Sequence, residues 1–305
     1  MNKKTIITLV VIVVLALGAY LLFSNNEPVT PDIATPDVNQ PTDTDSPATT
    51  TPDTAEDEGA TVVIGKSVEG RDIVAYNYGS GARRVLFVGG IHGGYSWNTS
   101  LVAYEAMDYF EKNLSTIPEG ITVTVIPNAN PDGLSKVVSA TGAFKASDIT
   151  ASAAVQVTGR FNANNVDLNR NFDCQWQATG TWQNKSVSGG TTAFSEPEAK
   201  AVRDYIDSHS PAGVVVWYSA AGGVYASSCG ADVLPATTAM MNAYAQASGY
   251  PAHKSFDFYE TTGDMANWLA KKNIPAISVL LTDHTSTEWT KNQAGIKAVL
   301  THFSQ

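Results

Sequence analysis

The chain is poor in cysteine and in basic residues. Its 305 residues include two cysteines, and 19 lysines and arginines stand against 29 aspartates and glutamates, which gives a formal net charge of −10. No basic patch with interleaved aromatic residues is present, so nucleic-acid binding is not predicted. The strand-turn-helix motif that carries a nucleophilic serine is absent as well, so the sequence gives no support to a serine hydrolase.

Two cysteines are also too few for a metal site unless further ligands lie at suitable spacing, and none do. Cys174 and Cys229 both fall in the carboxyl-terminal part of the chain. In an oxidising compartment the natural prediction is one disulfide between them. Two separate buried thiols are the alternative.

The amino-terminal region predicts a membrane anchor over residues 1–23. Lys3 and Lys4 precede an uncharged stretch, residues 5–23, which would span roughly 28 Å as a helix and so match the hydrocarbon core of a bilayer. The lysines favour a cytoplasmic amino terminus, which places the rest of the chain outside the cell membrane as a single-pass protein. A cleaved signal peptide is the alternative, although no small-x-small cleavage site follows directly. No cysteine that could carry a lipid anchor lies near the end of this stretch.

Residues 24–60 are rich in Pro, Thr, Asp and Ser and predict a disordered, extended stalk. The remaining residues, 61–305, are long enough for a sizeable core. Apolar runs with the length of buried strands alternate with helical patterns, which indicates an α/β domain whose mostly parallel sheet carries helices on both faces. The predicted strands are 85–88, 122–126, 213–217 and 276–281, and the clearest predicted helices are 236–248 and 264–272.

A histidine lies among glycines just after the first of these strands, in residues 89–99 (GGIHGGYSWNT). Open α/β sheets bind ligands at the carboxyl ends of their strands, so His92 is a candidate site residue. By itself the signal is weak, because a histidine in such a position is commonly a hydrogen-bonded structural residue.

Several further segments carry a family resemblance, in order along the chain. They are residues 64–71 (IGKSVEGR), 89–93 (GGIHG), 128–133 (NANPDG), 160–172 (RFNANNVDLNRNF), 194–198 (FSEPE), 217–223 (WYSAAGG), 259–264 (YETTGD) and 274–281 (IPAISVLL). Together they resemble the zinc carboxypeptidases of the carboxypeptidase A family over residues 61–303. The resemblance implies a single carboxypeptidase A-like domain. It also implies zinc chemistry, in which a metal with three protein ligands and an open position activates water beside a glutamate base.

The positions that the family uses for metal and proton transfer are replaced in this chain. His92 matches the first zinc ligand. The second ligand, a glutamate in the family, falls on Tyr95, or on Ser96 if one residue is inserted. The third, a histidine, falls on Tyr218, and the general base falls on Leu280. We therefore expect no bound cofactor, although the resemblance implies zinc in active relatives.

The positions that the family uses to hold substrate are retained. Asn169 and Arg170 match the pair that clamps the substrate's terminal carboxylate, Tyr259 matches the tyrosine that closes over it, and Arg160 matches the arginine that polarises the scissile carbonyl. Arg170 could instead be only a structural residue. Asp264 lies near the position that selects the terminal side chain, but we favour a role as a helix N-cap.

These observations favour a membrane-anchored, extracytoplasmic carboxypeptidase-like domain that is catalytically inactive and still binds a peptide or protein C-terminus. One alternative is an active zinc carboxypeptidase whose non-standard metal site recruits Asp283 and His284. Another is a scaffold for protein contacts with no ligand in the cleft.

Overall fold

The computed structural model describes residues 60–139 and 142–305. The predicted anchor, residues 1–23, and all of the predicted stalk except residue 60 lie outside this part of the chain. Within the described ranges, no helix has the length and the apolar character needed to cross a bilayer.

Strands and helices alternate along the described residues. The strands are β1 (Thr61–Lys66), β2 (Asp72–Tyr78), β3 (Arg83–Val88), β4 (Ile121–Ile126), β5 (Thr179–Trp182), β6 (Lys185–Ser188), β7 (Gly213–Ser219), β8 (Gly223–Ala226), β9 (Ala252–His253) and β10 (Ala276–Leu281). The α-helices are α1 (Trp97–Lys112), α2 (Pro131–Ser135), α3 (Ala153–Thr158), α4 (Pro197–His209), α5 (Pro235–Ser248), α6 (Met265–Lys271) and α7 (Trp289–Ser304). Short 3-10 turns cover Leu114–Thr116, Ala146–Asp148 and Leu168–Arg170.

Eight of the strands form one mixed sheet in the order β1-β2-β4-β3-β7-β10-β8-β9. The central strands β4, β3, β7 and β10 are parallel. Antiparallel pairs flank them, β1 with β2 and β2 with β4 on one side and β10 with β8 on the other. Strands β5 and β6 form a separate hairpin. The predicted mixed, mostly parallel sheet is therefore confirmed.

Helices cover both faces of this sheet, because the central strands are apolar on both sides. Along β7, Val215 and Trp217 pack in one core, with residues of α1, α5 and α7. Val216 and Tyr218 point the other way and pack with residues of α4 and α6. This alternation is the two-residue period of a strand, and burial on both sides is typical of parallel strands between helix layers.

The candidate site lies where β3, β7 and β10 end. These three strands are parallel neighbours, so their carboxyl ends meet at one edge of the sheet. His92 follows β3, Tyr218 is the last residue but one of β7, and Leu280 is the last residue but one of β10. Tyr218 and Leu280 are direct partners in the β7–β10 register. The two positions that differ from the family's histidine and glutamate thus lie side by side.

The predicted disulfide is confirmed between Cys174 and Cys229. It joins the segment that follows the Leu168–Arg170 turn to the loop that follows β8, across 55 residues of sequence. A crosslink of this kind contributes about 2–4 kcal/mol to stability, mainly by restricting the unfolded chain.

Candidate functional site

His92 is held in a buried turn after β3, with 4% of its surface exposed. The turn packs so closely on the loop that follows α3 that a Cβ on Gly93, whose φ is +40°, would lie 2.7 Å from the Gly159 carbonyl oxygen. Neither ring nitrogen of His92 has a hydrogen-bond partner in the described chain. Burial, with the positive charge of Arg160, lowers the pKa of His92 to about 4, so the imidazole is neutral at pH 7.

The two candidates for the second ligand occupy different surroundings. Ser96 is buried, and its hydroxyl has no partner among the described residues. The ring of Tyr95 packs against Trp182 and His284, with ring centres 4.9 and 4.4 Å apart, and its hydroxyl accepts a hydrogen bond from Gln183. Neither position carries a carboxylate.

The hydroxyl group of Tyr218 is engaged in a hydrogen bond within the protein. Its hydroxyl donates to Asn169 Oδ1 at 3.0 Å, and its ring centre lies 5.6 Å from that of His92. Burial, together with the nearby Asp264 carboxylate, raises the pKa of Tyr218 well above its ordinary value. The phenol is therefore protonated at pH 7 and is a poor metal ligand.

These donors do not fit a catalytic zinc ion. Such a site needs three protein ligands, commonly histidines and a carboxylate, and His92 is the one residue of that kind at the family's ligand positions. Across residues 60–139 and 142–305, no group of three or more His, Cys, Asp or Glu side chains could hold a metal. Asp283 instead caps its own loop by accepting from the backbone N–H groups of Thr285 and Ser286.

Next to His92 lies a buried ion pair. Arg160 donates from Nε and Nη2 to Asp167 Oδ2, at 2.9 and 2.8 Å, and both side chains are almost completely buried. The guanidinium also stacks on Trp182, 4.5 Å from the ring centre. Burial by itself raises the pKa of Asp167, but the charge of Arg160 outweighs it and holds that pKa well below its usual range. Asp167 Oδ1 is 3.6 Å from His92 Nε2, too far for a hydrogen bond.

Arg170 makes three side-chain hydrogen bonds within the protein. Its guanidinium donates to the carbonyl oxygens of Glu260 and Thr181 and to the hydroxyl of Thr262. Its guanidinium carbon lies 5.8 Å from the ring centre of Tyr259, which is 43% exposed. These bonds connect the Leu168–Arg170 turn to β5 and to the segment before α6.

Asn169 makes a second set of internal bonds. Its Nδ2 donates to Asp264 Oδ2 at 2.7 Å, and its Oδ1 accepts from Tyr218 and from the backbone N–H of Met265. Asp264 in turn accepts from the backbone N–H of Asn267 and so caps α6, as predicted. Binding of a carboxylate by Asn169, Arg170 and Tyr259 stays a prediction.

Two neighbouring cavities open above these residues. The first, with a volume of about 290 Å³, we call the acidic cavity; its lining includes His92, Tyr218, Tyr259, Glu260 and Asp264. The second, of about 520 Å³, we call the arginine cavity; its lining includes Tyr95, Arg160, Trp182, Phe258 and His284. Ser219, Phe256, Tyr259 and Leu280 line both.

A model of the zinc carboxypeptidase family matches residues 53–302, which is most of the chain. The chain belongs to this family. The motif order, the mixed sheet and the site at the strand ends all agree with that membership. At the positions that the resemblance assigns to the third metal ligand and the general base, the chain carries Tyr218 and Leu280.

Two curated relatives illustrate how far the similarity extends. Gamma-D-glutamyl-L-diamino acid endopeptidase 1 of Lysinibacillus sphaericus is 25% identical over 217 residues, or 64% of this chain and 54% of the relative. Carboxypeptidase D of Homo sapiens is 31% identical over 139 residues, or 41% of this chain and 9% of the relative. The chain thus spans about half of the first protein and less than a tenth of the second.

Solved structures support the fold alone, because their identities are low. Murein-tripeptide amidase MpaA of Escherichia coli has a TM-score of 0.56 at 18% identity. The match covers 81% of this chain and 93% of the amidase chain. Bovine thrombin-activatable fibrinolysis inhibitor, in complex with tick carboxypeptidase inhibitor, has a TM-score of 0.64 at 16% identity. The match covers 79% of this chain and 89% of the bovine chain.

Sequence reasoning missed two residues of the site. Asp167 lies inside the conspicuous segment 160–172, and its position between Arg160 and Arg170 was a signal for a buried ion pair. Trp182, on which Arg160 stacks, lies at the end of β5. Nothing in the sequence around the β5–β6 hairpin indicated that it would reach the cleft.

Proposed function

We propose that this member of the zinc carboxypeptidase family has no hydrolytic activity and binds peptide C-termini in its cleft. The observation that carries the proposal is the pairing of Tyr218 with Leu280 across β7 and β10. A protonated phenol and an aliphatic side chain occupy the positions of a zinc ligand and of the general base. Amide hydrolysis in this family needs an activated water, and neither residue can help to activate one.

Retention of a cleft supports the binding part of the proposal. The acidic and arginine cavities adjoin, and both contain polar groups as well as aromatic walls. Small-molecule and peptide sites commonly combine apolar walls with a few placed polar groups. The two curated relatives are both peptidases by name, which favours a peptide as the ligand.

A direct test uses the full-length chain, purified in a mild detergent and supplied with zinc. N-acetylated dipeptides with a free C-terminal carboxylate are expected to bind in calorimetry and to be recovered intact after long incubation, because no water is activated. Chromatography of the mixture measures intact and cleaved peptide. Hydrolysis that a chelator abolishes would contradict inactivity and favour the active alternative, whereas absence of binding would favour the scaffold.

We further propose that residues 1–23 anchor the protein in the cell membrane, and that residues 24–60 hold the domain away from its outer surface. The uncharged stretch of residues 5–23 behind Lys3 and Lys4 supports the anchor. The disulfide between Cys174 and Cys229 agrees with an oxidising, extracytoplasmic compartment.

This arrangement predicts that the chain stays with the membrane pellet after extraction at alkaline pH and is digested by protease added outside intact cells. A transmembrane helix resists such extraction because the 19 uncharged, mostly apolar residues of the stretch 5–23 would have to leave the bilayer. The matched control is a chain in which Leu15 and Leu17 are replaced by Lys. Release of the native chain into the supernatant would indicate a cleaved signal peptide instead.

A further inference from the structure

A third cavity lies outside the cleft, between β2, α1 and α2, and we call it the lateral cavity. Its volume is about 580 Å³, and among the residues that the structure describes it shares none of its lining with the two cavities of the cleft. Its lining includes Val74 and Tyr76 of β2, Tyr104 of α1, and Pro131 and Leu134 of α2. This volume is typical of a small-ligand pocket.

An ion pair with a buried carboxylate braces one end of the lateral cavity. Arg71, which lines the cavity, donates from Nη1 to Asp132 Oδ1 at 2.6 Å, and Asp132 is almost completely buried. Asp132 also accepts from the hydroxyl of Ser67 at 2.6 Å and from the backbone N–H of Glu69 at 3.0 Å. These bonds join the turn between β1 and β2 to α2, so the cavity has its shape without a ligand, which lowers the cost of binding one.

Three polar side chains in the lining have hydrogen-bonding capacity to spare. The hydroxyl groups of Tyr76 and Tyr104 have no hydrogen-bond partner among the described residues. Burial, with the nearby Tyr76, raises the pKa of Tyr104, so its phenol is protonated and can donate at pH 7. Asn128 Oδ1 accepts from the backbone N–H of Asn130 at 3.2 Å, whereas Asn128 Nδ2 donates to no described residue.

The charged residues of the lateral cavity are already paired. In the described lining these are Arg71, whose guanidinium is paired with Asp132 and Glu69, and Asp72, which is paired with Lys66. An ionic ligand that leaves water for such a cavity finds no unpaired opposite charge to compensate it. The lining therefore favours a neutral ligand.

The rest of the lining combines apolar walls with aromatic rings. The apolar residues are Val74, Pro127, Pro131, Leu134 and Val138. Each tyrosine adds an apolar ring with a polar tip. A pyranose ring has the complementary character, with C–H groups on its faces and hydroxyl groups around its edge that both donate and accept.

We propose that the lateral cavity is a second ligand site and binds a neutral sugar. The hydroxyl groups of Tyr76 and Tyr104 and the Nδ2 of Asn128 hydrogen-bond to the hydroxyl groups of the sugar, while Val74 and Leu134 pack against a face of its ring. This site goes beyond the proposed peptide binding and does not depend on it, because the cleft is built from other residues.

Three sugars test the proposal with the full-length chain, purified in a detergent that has no sugar headgroup. They are cellobiose, methyl β-D-glucoside and methyl β-D-glucuronide, which carries a carboxylate where the glucoside has a hydroxymethyl group. Calorimetry and saturation-transfer NMR measure binding. We expect the two neutral sugars to bind and the glucuronide to bind about tenfold more weakly than the glucoside, because its charge would lose water without compensation.

Four variants locate the site. Tyr76→Phe and Tyr104→Phe should each weaken binding of the glucoside by about three- to tenfold, since each removes one hydrogen bond. Val74→Trp should abolish binding by filling the cavity. Tyr109→Phe is the matched control and should change nothing, because it removes a buried hydroxyl of the same helix that has no partner in the described chain. Thermal melting establishes that each variant is folded.

Each result decides for or against the sugar site. Failure of both neutral sugars to bind would overturn the proposal, and so would equal affinity for the glucoside and the glucuronide. Binding that Tyr104→Phe and Tyr76→Phe leave unchanged would place the sugar elsewhere and also overturn it. These two variants decide even if Val74→Trp does not fold. Peptide binding in the cleft is tested separately with the acetylated dipeptides and stands or falls on that result.

Discussion

A chain carrying both Ser96→Glu and Tyr218→His is expected to retain about one equivalent of zinc after dialysis, whereas the native chain retains far less. The two substitutions supply a carboxylate and a second imidazole beside the neutral His92, which makes the donor set of a catalytic zinc site. The ligands would come from the ends of β3 and β7, which are adjacent parallel strands. Atomic absorption on the dialysed protein measures the change.

Controls within the same cleft sharpen this prediction. Adding His92→Ala to the double variant should remove the metal, since two donors do not make a stable site. Tyr95→Glu in place of Ser96→Glu should fail, because the Tyr95 side chain packs toward Trp182 and His284. A native chain that itself holds one zinc, lost in His92→Ala, would contradict the proposed inactivity.

Hydrolysis should return only when a base is added to the metal. Leu280→Glu alone is expected to give no activity, because the water would still lack a metal to lower its pKa. Added to Ser96→Glu and Tyr218→His, the same substitution should give chelator-sensitive cleavage of the acetylated dipeptides. Cleavage by the single variant would show that the chemistry does not depend on these ligands.

Removing the carboxylate of Asp167 is expected to destabilise the domain by about 3–5 kcal/mol. Asp167→Ala leaves the guanidinium of Arg160 buried without its partner, and an uncompensated buried charge is among the most costly single changes in a protein. Urea denaturation of the full-length chain, followed by tryptophan fluorescence, measures the free energy of unfolding. The unfolding slope should remain unchanged.

An exposed ion pair of the same chain gives the matched control. Lys271 Nζ lies 2.7 Å from Asp173 Oδ2, with about half of each side chain exposed. Asp173→Ala should cost less than about 1 kcal/mol, since water already screens that pair. Replacing Arg160 by Met and Asp167 by Leu together should recover most of the stability lost in Asp167→Ala. Equal effects at the two aspartates would indicate that the buried pair is hydrated.

The sequence by itself determined the class of fold and the edge of the sheet that holds the site. Runs such as residues 276–281 are too apolar for anything but a buried element, and β10 covers those residues. The glycines around His92 marked a turn at a strand end, and the helix cap at Asp264 formed as predicted. These features depend on neighbours in the chain, so local patterns suffice to predict them.

Only the tertiary structure decided how the cleft uses its residues. Tyr218 and Leu280 are far apart in sequence, and the register of β7 with β10 makes them neighbours. Arg160 meets Trp182, and Arg170 donates to the carbonyl oxygens of Thr181 and Glu260, because residues 160–172 pack against the β5–β6 hairpin and the segment before α6. Contacts between distant segments are set by packing of the whole core, and no local pattern encodes which donor stays free for a ligand.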